Sequence, residues 1–182
     1  MRRTIAILVT AAACRNAATT DPEVPAVNDL VPAKYKYKLD FVMRTVNAGI
    51  GDEQLWKVPA PRSWRFAGSG GDIVPQSVVS GKSYMQVSTK QCKGQCNPQL
   101  PESATDTVNT RDLSVQLHGK PFRQRVELIT VHAAIPNDGV YINVYMWEPA
   151  GSVYYECDAR IAPEISDAQK AFETACTLAV PI

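Results

Sequence analysis

Alternation of apolar and polar residues is the strongest pattern in the second half of the chain. Residues 139–147 read GVYINVYMW, so one face of a strand carries Val140, Ile142, Val144 and Met146. Residues 122–133 form a second apolar-rich run, and the turn chemistry of Pro136 to Gly139 separates the two. The two runs therefore predict a β-hairpin.

Similar patterns predict further strands. They cover 35–46, 83–90, 112–117 and 153–159, with short strands around Trp56 and Trp64. Residues 35–46 place Tyr35 and Tyr37 on one face and Lys36 and Lys38 on the other. One buried face and one wet face are typical of antiparallel sheets.

A helical pattern follows at the C-terminus. Ser166 and Gln169 match a capping box, and Pro181 would end the helix. The predicted buried stripe is Ala168, Phe172, Ala175, Cys176 and Ala179. The fold class predicted is therefore α+β: an antiparallel β-sheet with a C-terminal amphipathic helix packed on one face, stapled by disulfides.

The N-terminus has the pattern of an export signal. Arg2 and Arg3 precede an apolar run, Thr4 to Ala13, and polarity rises after Cys14. Residues 1–13 resemble a bacterial lipoprotein signal, which implies that Cys14 is lipidated, although Ala11 stands where that pattern prefers Leu. A plain secretory signal cleaved after one of the alanines is the alternative.

The domain organisation follows from the residues after the signal. Residues 14–34 contain Pro22, Pro25 and Pro32, which argues against a regular element and predicts a flexible tether. Residues 35–182 of the 182-residue chain would then be a single α+β domain.

Five cysteines are an odd number for an exported protein. If Cys14 is lipidated, four remain, and spacing favours Cys92–Cys96 and Cys157–Cys176 among three possible pairings. Metal or redox chemistry is the competing interpretation, but one CxxxC and two histidines fit a zinc site poorly. The sequence predicts no metal and no cofactor, and an oxidising compartment.

Composition and motifs favour a non-catalytic protein. The formal charge is +1, and no apolar stretch is long enough to span a membrane as a helix. His118 and His132 lie in no nucleophile or metalloprotease motif. Nucleic acid is not an expected partner, because the predicted strand 35–46 separates its lysines from its tyrosines.

The candidate binding face is the second face of strand 139–147. It carries Tyr141, Asn143, Tyr145 and Trp147, a row that suits protein, peptide or sugar contact if it is exposed. The alternative is that both sheet faces are buried, with segment 47–82 packed over the aromatic row.

Residues 35–180 resemble the Mog1/PsbP-like fold of small exported bacterial lipoproteins. The resemblance consists of an early strand, the segment Val58-Pro59-Ala60-Pro61-Arg62-Ser63-Trp64, a hairpin, a further strand and a terminal helix. It implies a non-enzymatic binding or assembly role and assigns no functional residue.

The function predicted is that of a non-catalytic cell-envelope lipoprotein that binds a protein partner. An immunity protein that neutralises a toxin is one specific version. A carbohydrate- or small-ligand-binding envelope module is the alternative, and an envelope hydrolase is the weakest. The predicted location is the bacterial envelope (periplasm or outer membrane, anchored through the lipidated N-terminus) or, without lipidation, the secreted fraction.

Overall fold

The computed structural model describes residues 23–48, 54–67, 71–75, 83–98, 108–130 and 139–182. Two α-helices lie near the ends of this part: α1 (Val24–Asp29) and α2 (Gln169–Thr177). The strands are β1 (Phe41–Asn47), β2 (Leu55–Pro61), β3 (Trp64–Ala67), β4 (Asp72–Pro75), β5 (Tyr84–Gln91), β6 (Val108–Leu117), β7 (Lys120–Thr130), β8 (Val140–Trp147), β9 (Val153–Ile161) and β10 (Val180–Pro181).

The strands form two antiparallel sheets. The small sheet has the order β1-β2-β10, and the large one has the order β3-β4-β5-β9-β8-β7-β6. The chain passes from the small sheet to the large one at Arg62 and Ser63, between β2 and β3. The architecture is α+β and mostly β, in agreement with the predicted class at that level.

The main core lies between the large sheet, α2 and the small sheet. Ile142 and Val144 of β8 face this core, as the alternation predicts, and both are buried. Phe172 of α2 lies at its centre, with its ring 5.2 Å from that of Phe41 and 5.5 Å from that of Trp64. Burial of these rings holds α2 between the two sheets.

Both predicted disulfides are present. Cys157 on β9 is bonded to Cys176 on α2, and both residues are fully buried. Cys92 is bonded to Cys96 across a tight turn in which Gly94 has a φ of 94°. The first bridge fixes the helix to the sheet, and disulfides of this kind are typical of an oxidising compartment.

The predicted strands are confirmed in part. β7 and β8 pair over eight positions, from Arg123↔Trp147 to Thr130↔Val140, as the predicted hairpin requires. The prediction that strand 35–46 begins at Tyr35 is wrong, because residues 33–35 form a 3-10 helix followed by a turn and β1 starts at Phe41. The apolar and polar residues of 35–40 alternate in sequence, but they lie in the 3-10 helix and the turn and not in a strand.

The described part of the predicted tether, 23–34, is not a tether. α1 starts with Pro25 near its N-terminus, where the missing N–H is tolerated, and buries Val24 and Val27 in the main core. The Asn28 side chain donates to the Phe41 carbonyl oxygen (2.9 Å) and accepts from the Phe41 N–H (2.8 Å). Pro25 is therefore compatible with a helix, and residues 14–22 of the predicted tether lie outside the described residues.

The C-terminal helix also begins later than predicted. Ser166 lies in a 3-10 helix, Pro163–Ala168, and makes no capping hydrogen bond, so the capping-box prediction is wrong. α2 starts at Gln169 and ends at Thr177, and Pro181 lies in β10 opposite Trp56. No helix in the described residues is long and apolar enough to cross a membrane.

Candidate functional site

The face of the large sheet that points away from α2 is polar and aromatic. Strand pairing brings one residue from each of five neighbouring strands into a single row across it: Asp72, Gln86, Asp158, Asn143 and Glu127. Glu156 stands two residues from Asp158 on the same face, opposite Ser88 and Tyr145. Cross-strand neighbours on one face lie within side-chain contact, so this row is one connected polar surface.

Three carboxylates of this face are largely withdrawn from water. Glu127 and Glu156 are buried, and burial raises the pKa of Asp158 to about 7, with the negative charge of Glu156 as the second cause. Lys90 forms an ion pair with Glu156, and the Ser88 hydroxyl donates to Glu156 Oε2 at 3.3 Å. Asp158 is therefore a carboxyl group that exchanges its proton near neutral pH.

Tyrosines surround this carboxyl group. The pKa of Tyr84 is raised to about 12, mainly by burial and also by the charges of Asp158 and Tyr141. Burial also raises the pKa of Tyr145 above its usual value. Neutral phenols and a half-protonated carboxyl group can share protons in hydrogen bonds, an arrangement found in structural networks as well as in active sites.

The predicted aromatic binding row lies on this same face. Asn143, Tyr145 and Trp147 are buried, and Tyr141 is half-buried with Arg160 over its ring. The interpretation of the row as an exposed contact surface is therefore corrected. Among the described residues, the disulfide turn 92–98 packs against Tyr145 and Trp147, whereas the buried alternative expected segment 47–82 over the row.

Several contacts hold this turn in place. The buried Cys96 packs against Tyr145 and Trp147. The Gln95 side chain donates to the Pro149 carbonyl oxygen at 3.0 Å, and Arg125 donates to that of Pro98 at 3.1 Å. The small disulfide thus fastens a turn over the aromatic row.

Arg125 connects this turn to the outer strand of the sheet. Its guanidinium donates to both carboxylate oxygens of Asp112 on β6, at 2.8 and 3.2 Å, and lies 5.6 Å from the centre of the Trp147 ring. The hydrogen bond from Arg125 holds the pKa of Asp112 below its usual value. A cavity of about 250 Å³ opens beside this pair, lined by Asp112, Leu113, Ser114, Arg123 and Trp147.

β6 is the last strand of the large sheet. It pairs with β7 over ten positions, and all of its described side chains from Asn109 to Ser114 are exposed. Leu113 is one of the exposed large apolar residues. The Arg111 guanidinium forms an ion pair with Glu173 of α2, with 2.8 Å between Nη2 and Oε1. The strand is long and accessible, and its sequence contains neither proline nor lysine.

Of the two histidines, the structure describes only His118. His118 lies at the β6–β7 turn, and its ring Nε2 is 3.2 Å from the Pro181 carbonyl oxygen. His132 lies outside the described residues. Within the part of the chain that the structure describes, no three His, Cys, Asp or Glu residues are grouped as metal ligands would be.

Sequence reasoning missed Asp158, Glu156 and Glu127. The alternation in 153–159 already placed Tyr154, Glu156 and Asp158 opposite Cys157. Their approach to Glu127 depends on the register of β7, β8 and β9, which no local pattern specifies.

No protein-family model matches this sequence, and a search of curated proteins returned no match. The resemblance to the Mog1/PsbP-like fold therefore stays a prediction.

Proposed function

We propose that this chain is a non-catalytic, exported envelope protein that binds a protein partner through the edge of β6 that pairs with no strand among the described residues. The observation that carries the proposal is that β6 is a ten-residue outer strand whose side chains from Asn109 to Ser114 are exposed. Natural proteins shield outer strands with prolines, charged side chains or short length, because unpaired backbone groups invite another strand. The two charged residues of β6, Arg111 and Asp112, are both engaged in ion pairs within the domain. A partner that adds an extended segment would satisfy those groups by β-augmentation.

The surroundings of β6 support a protein partner over a sugar. The cavity next to Leu113 can take one side chain from an added strand, and Asp112 and Arg111 are already engaged by Arg125 and Glu173. A sugar platform requires accessible ring faces, whereas Tyr145 and Trp147 are buried. A secreted toxin as the partner would make the chain an immunity protein.

Proline substitution along β6 tests this proposal. In an antiparallel outer strand, neighbouring residues point their backbone groups alternately toward the sheet and away from it. Of Leu113→Pro and Ser114→Pro, one therefore breaks the pairing with β7 and the other blocks only the free edge. Thermal unfolding identifies the second variant, which keeps its stability.

The binding measurement uses that stable variant. A partner is first captured from the native envelope and identified, and its affinity is then measured with the wild type and the variants. We expect the edge-blocking proline to weaken binding at least tenfold, while Leu113→Ser, which keeps the backbone N–H, weakens it less. Equal affinity of the wild type and the stable proline variant would contradict the proposal.

Envelope anchoring is a separate part of the proposal. It is supported by the signal-like N-terminus and by disulfides that persist outside the cytoplasm. The mass of the mature N-terminal peptide tests it: a diacylglycerol-modified Cys14 supports anchoring, and an unmodified terminus at another residue contradicts it.

A further inference from the structure

Residues 30–38, which follow α1, contain several exposed side chains, whereas Val31 among them is buried in the main core. Tyr37 is 77% exposed and Leu30 is 40% exposed, and both belong to the large apolar residues that the fold leaves accessible. Lys36 and Lys38 are exposed beside them, with the Lys38 ammonium 5.3 Å from the centre of the Tyr37 ring. We call residues 30–38 the N-terminal patch.

Because the N-terminal patch is a turn and not a strand, its tyrosines and lysines are placed differently from the sequence prediction. A strand over 35–46 would have directed Tyr35 and Tyr37 away from Lys36 and Lys38. Because residues 33–35 are a 3-10 helix and residues 36–38 a turn, Tyr37 and Lys38 instead share one exposed surface.

Several contacts fix the patch to the domain. The Tyr35 hydroxyl donates to the Glu164 carbonyl oxygen, and Lys34 forms an ion pair with Asp167 at 2.6 Å. The Ser63 hydroxyl donates to the Lys38 carbonyl oxygen at 3.0 Å, and Leu39 is buried. The exposed side chains are therefore presented by a well-supported backbone.

The charges of the patch favour a negative surface. Lys34 is neutralised by Asp167, and Asp40 by Arg62 at 2.8 Å. Residues 30–38 contain Lys36 and Lys38 besides Lys34 and no acidic residue, and Asp29 and Glu164 are exposed carboxylates at the border of the patch. Tyr37, flanked by Lys36 and Lys38, and the exposed Leu30 match the boundary between lipid headgroups and acyl chains, where aromatic residues and basic residues concentrate.

We propose that the N-terminal patch docks onto the anionic lipid surface to which the chain is anchored. This inference rests on the proposed envelope anchoring, because Cys14 would hold the domain near that surface. Val24, the first residue of α1, lies ten residues after Cys14, and ten residues span at most about 36 Å when fully extended, so the start of α1 stays within that distance of the bilayer. Tyr37 and Leu30 then enter the headgroup region while Lys36 and Lys38 contact lipid phosphates.

Vesicle binding tests the patch independently of lipidation. The full mature chain with Cys14→Ser and an N-terminal hexahistidine tag is bound to vesicles that contain a nickel-chelating lipid. One set of vesicles is otherwise phosphatidylcholine, and the other contains about one-third phosphatidylglycerol. The affinity is measured by co-sedimentation at low and high salt.

We expect the wild type to bind the anionic vesicles at least tenfold more tightly than the neutral ones, with the difference shrinking at high salt. Lys36→Glu with Lys38→Glu should abolish this difference, since each lysine near such a surface contributes about fivefold. Tyr37→Ser with Leu30→Ser should weaken binding to both kinds of vesicle.

Matched variants elsewhere on the domain serve as controls. Lys93→Glu with Lys120→Glu makes the same charge change at two other exposed lysines, and Phe66→Ser removes another exposed aromatic ring. Equal loss of binding in these controls, or no effect of the patch variants, would overturn the proposal. Binding of the β6 partner by the patch variants separates this outcome from failure of the proposed function.

Discussion

Folding strongly alters the ionisation of Asp158. Its pKa rises to about 7 because the carboxyl group is buried and faces Glu156, whereas in the unfolded chain an aspartate titrates near 4. The folded protein therefore holds a proton that the unfolded chain has already lost. Stability contributed by this group is present at pH 4 and falls as the pH rises toward 7.

Replacing Asp158 by asparagine should remove that pH dependence. The wild type is expected to lose about 4 kcal/mol of unfolding free energy between pH 4 and pH 8 relative to Asp158→Asn. Urea unfolding at a series of pH values measures this difference.

Asp112 serves as a control, because folding lowers its pKa whereas folding raises the pKa of Asp158. Its pKa is lowered by Arg125, so it stays ionised throughout this range, and Asp112→Asn should leave the slope between pH 5 and pH 8 unchanged. A wild-type slope that survives in Asp158→Asn would contradict the assignment.

At the scale of elements, the disulfide turn 92–98 and strand β8 depend on each other. Cys96 packs against Tyr145 and Trp147, and the turn is further tied to residues 149 and 152 through hydrogen bonds from Gln95 and the Cys92 N–H. The bridge closes a loop of only four residues in sequence separation, so its contribution through loop entropy is about 2 kcal/mol. The Cys92–Cys96 bridge also holds the turn 92–98 against Tyr145 and Trp147.

Opening this bridge should therefore expose an indole ring without unfolding the domain. Trp56, Trp64 and Trp147 are all buried, so acrylamide should quench the native fluorescence weakly. We expect quenching to increase in Cys92→Ser with Cys96→Ser, and this increase to disappear when Trp147→Phe is added. An increase that persists without Trp147 would show that the turn protects a different part of the core.

At the scale of the whole molecule, the sequence predicted those parts of the fold that depend on local pattern. The β7–β8 hairpin follows from alternation and turn chemistry, and the Cys157–Cys176 bridge from a strand followed by a helical stripe. The polar row through Asp158 and Asn143 depends on register between strands, which local patterns leave open. The cover over Trp147 likewise depends on where the turn 92–98 packs in three dimensions.

The N-terminal boundary of the domain is another feature that local sequence patterns do not determine. Three prolines suggested a tether, yet Pro25 is accommodated in the first turn of α1, and the Asn28 side chain pairs with the backbone of Phe41. Val24, Val27 and Val31 then contribute to the same core as Phe172. The folded unit therefore includes residues 24–34, which the sequence analysis had assigned to the tether.

Removing α1 should accordingly destabilise the whole domain. A chain that starts at residue 23 should unfold in urea as the full mature chain does, whereas one that starts at residue 35 should lose most of its stability. Val27→Ala, at a fully buried position, should cost about 2 kcal/mol, and Ala26→Ser, on the exposed side of the same helix, should change stability by less than about 0.5 kcal/mol. If the chain starting at residue 35 is as stable as the full mature chain, or Val27→Ala has no effect, then α1 is not part of the cooperative core, and the short distance between Cys14 and the folded domain no longer places the N-terminal patch at the membrane.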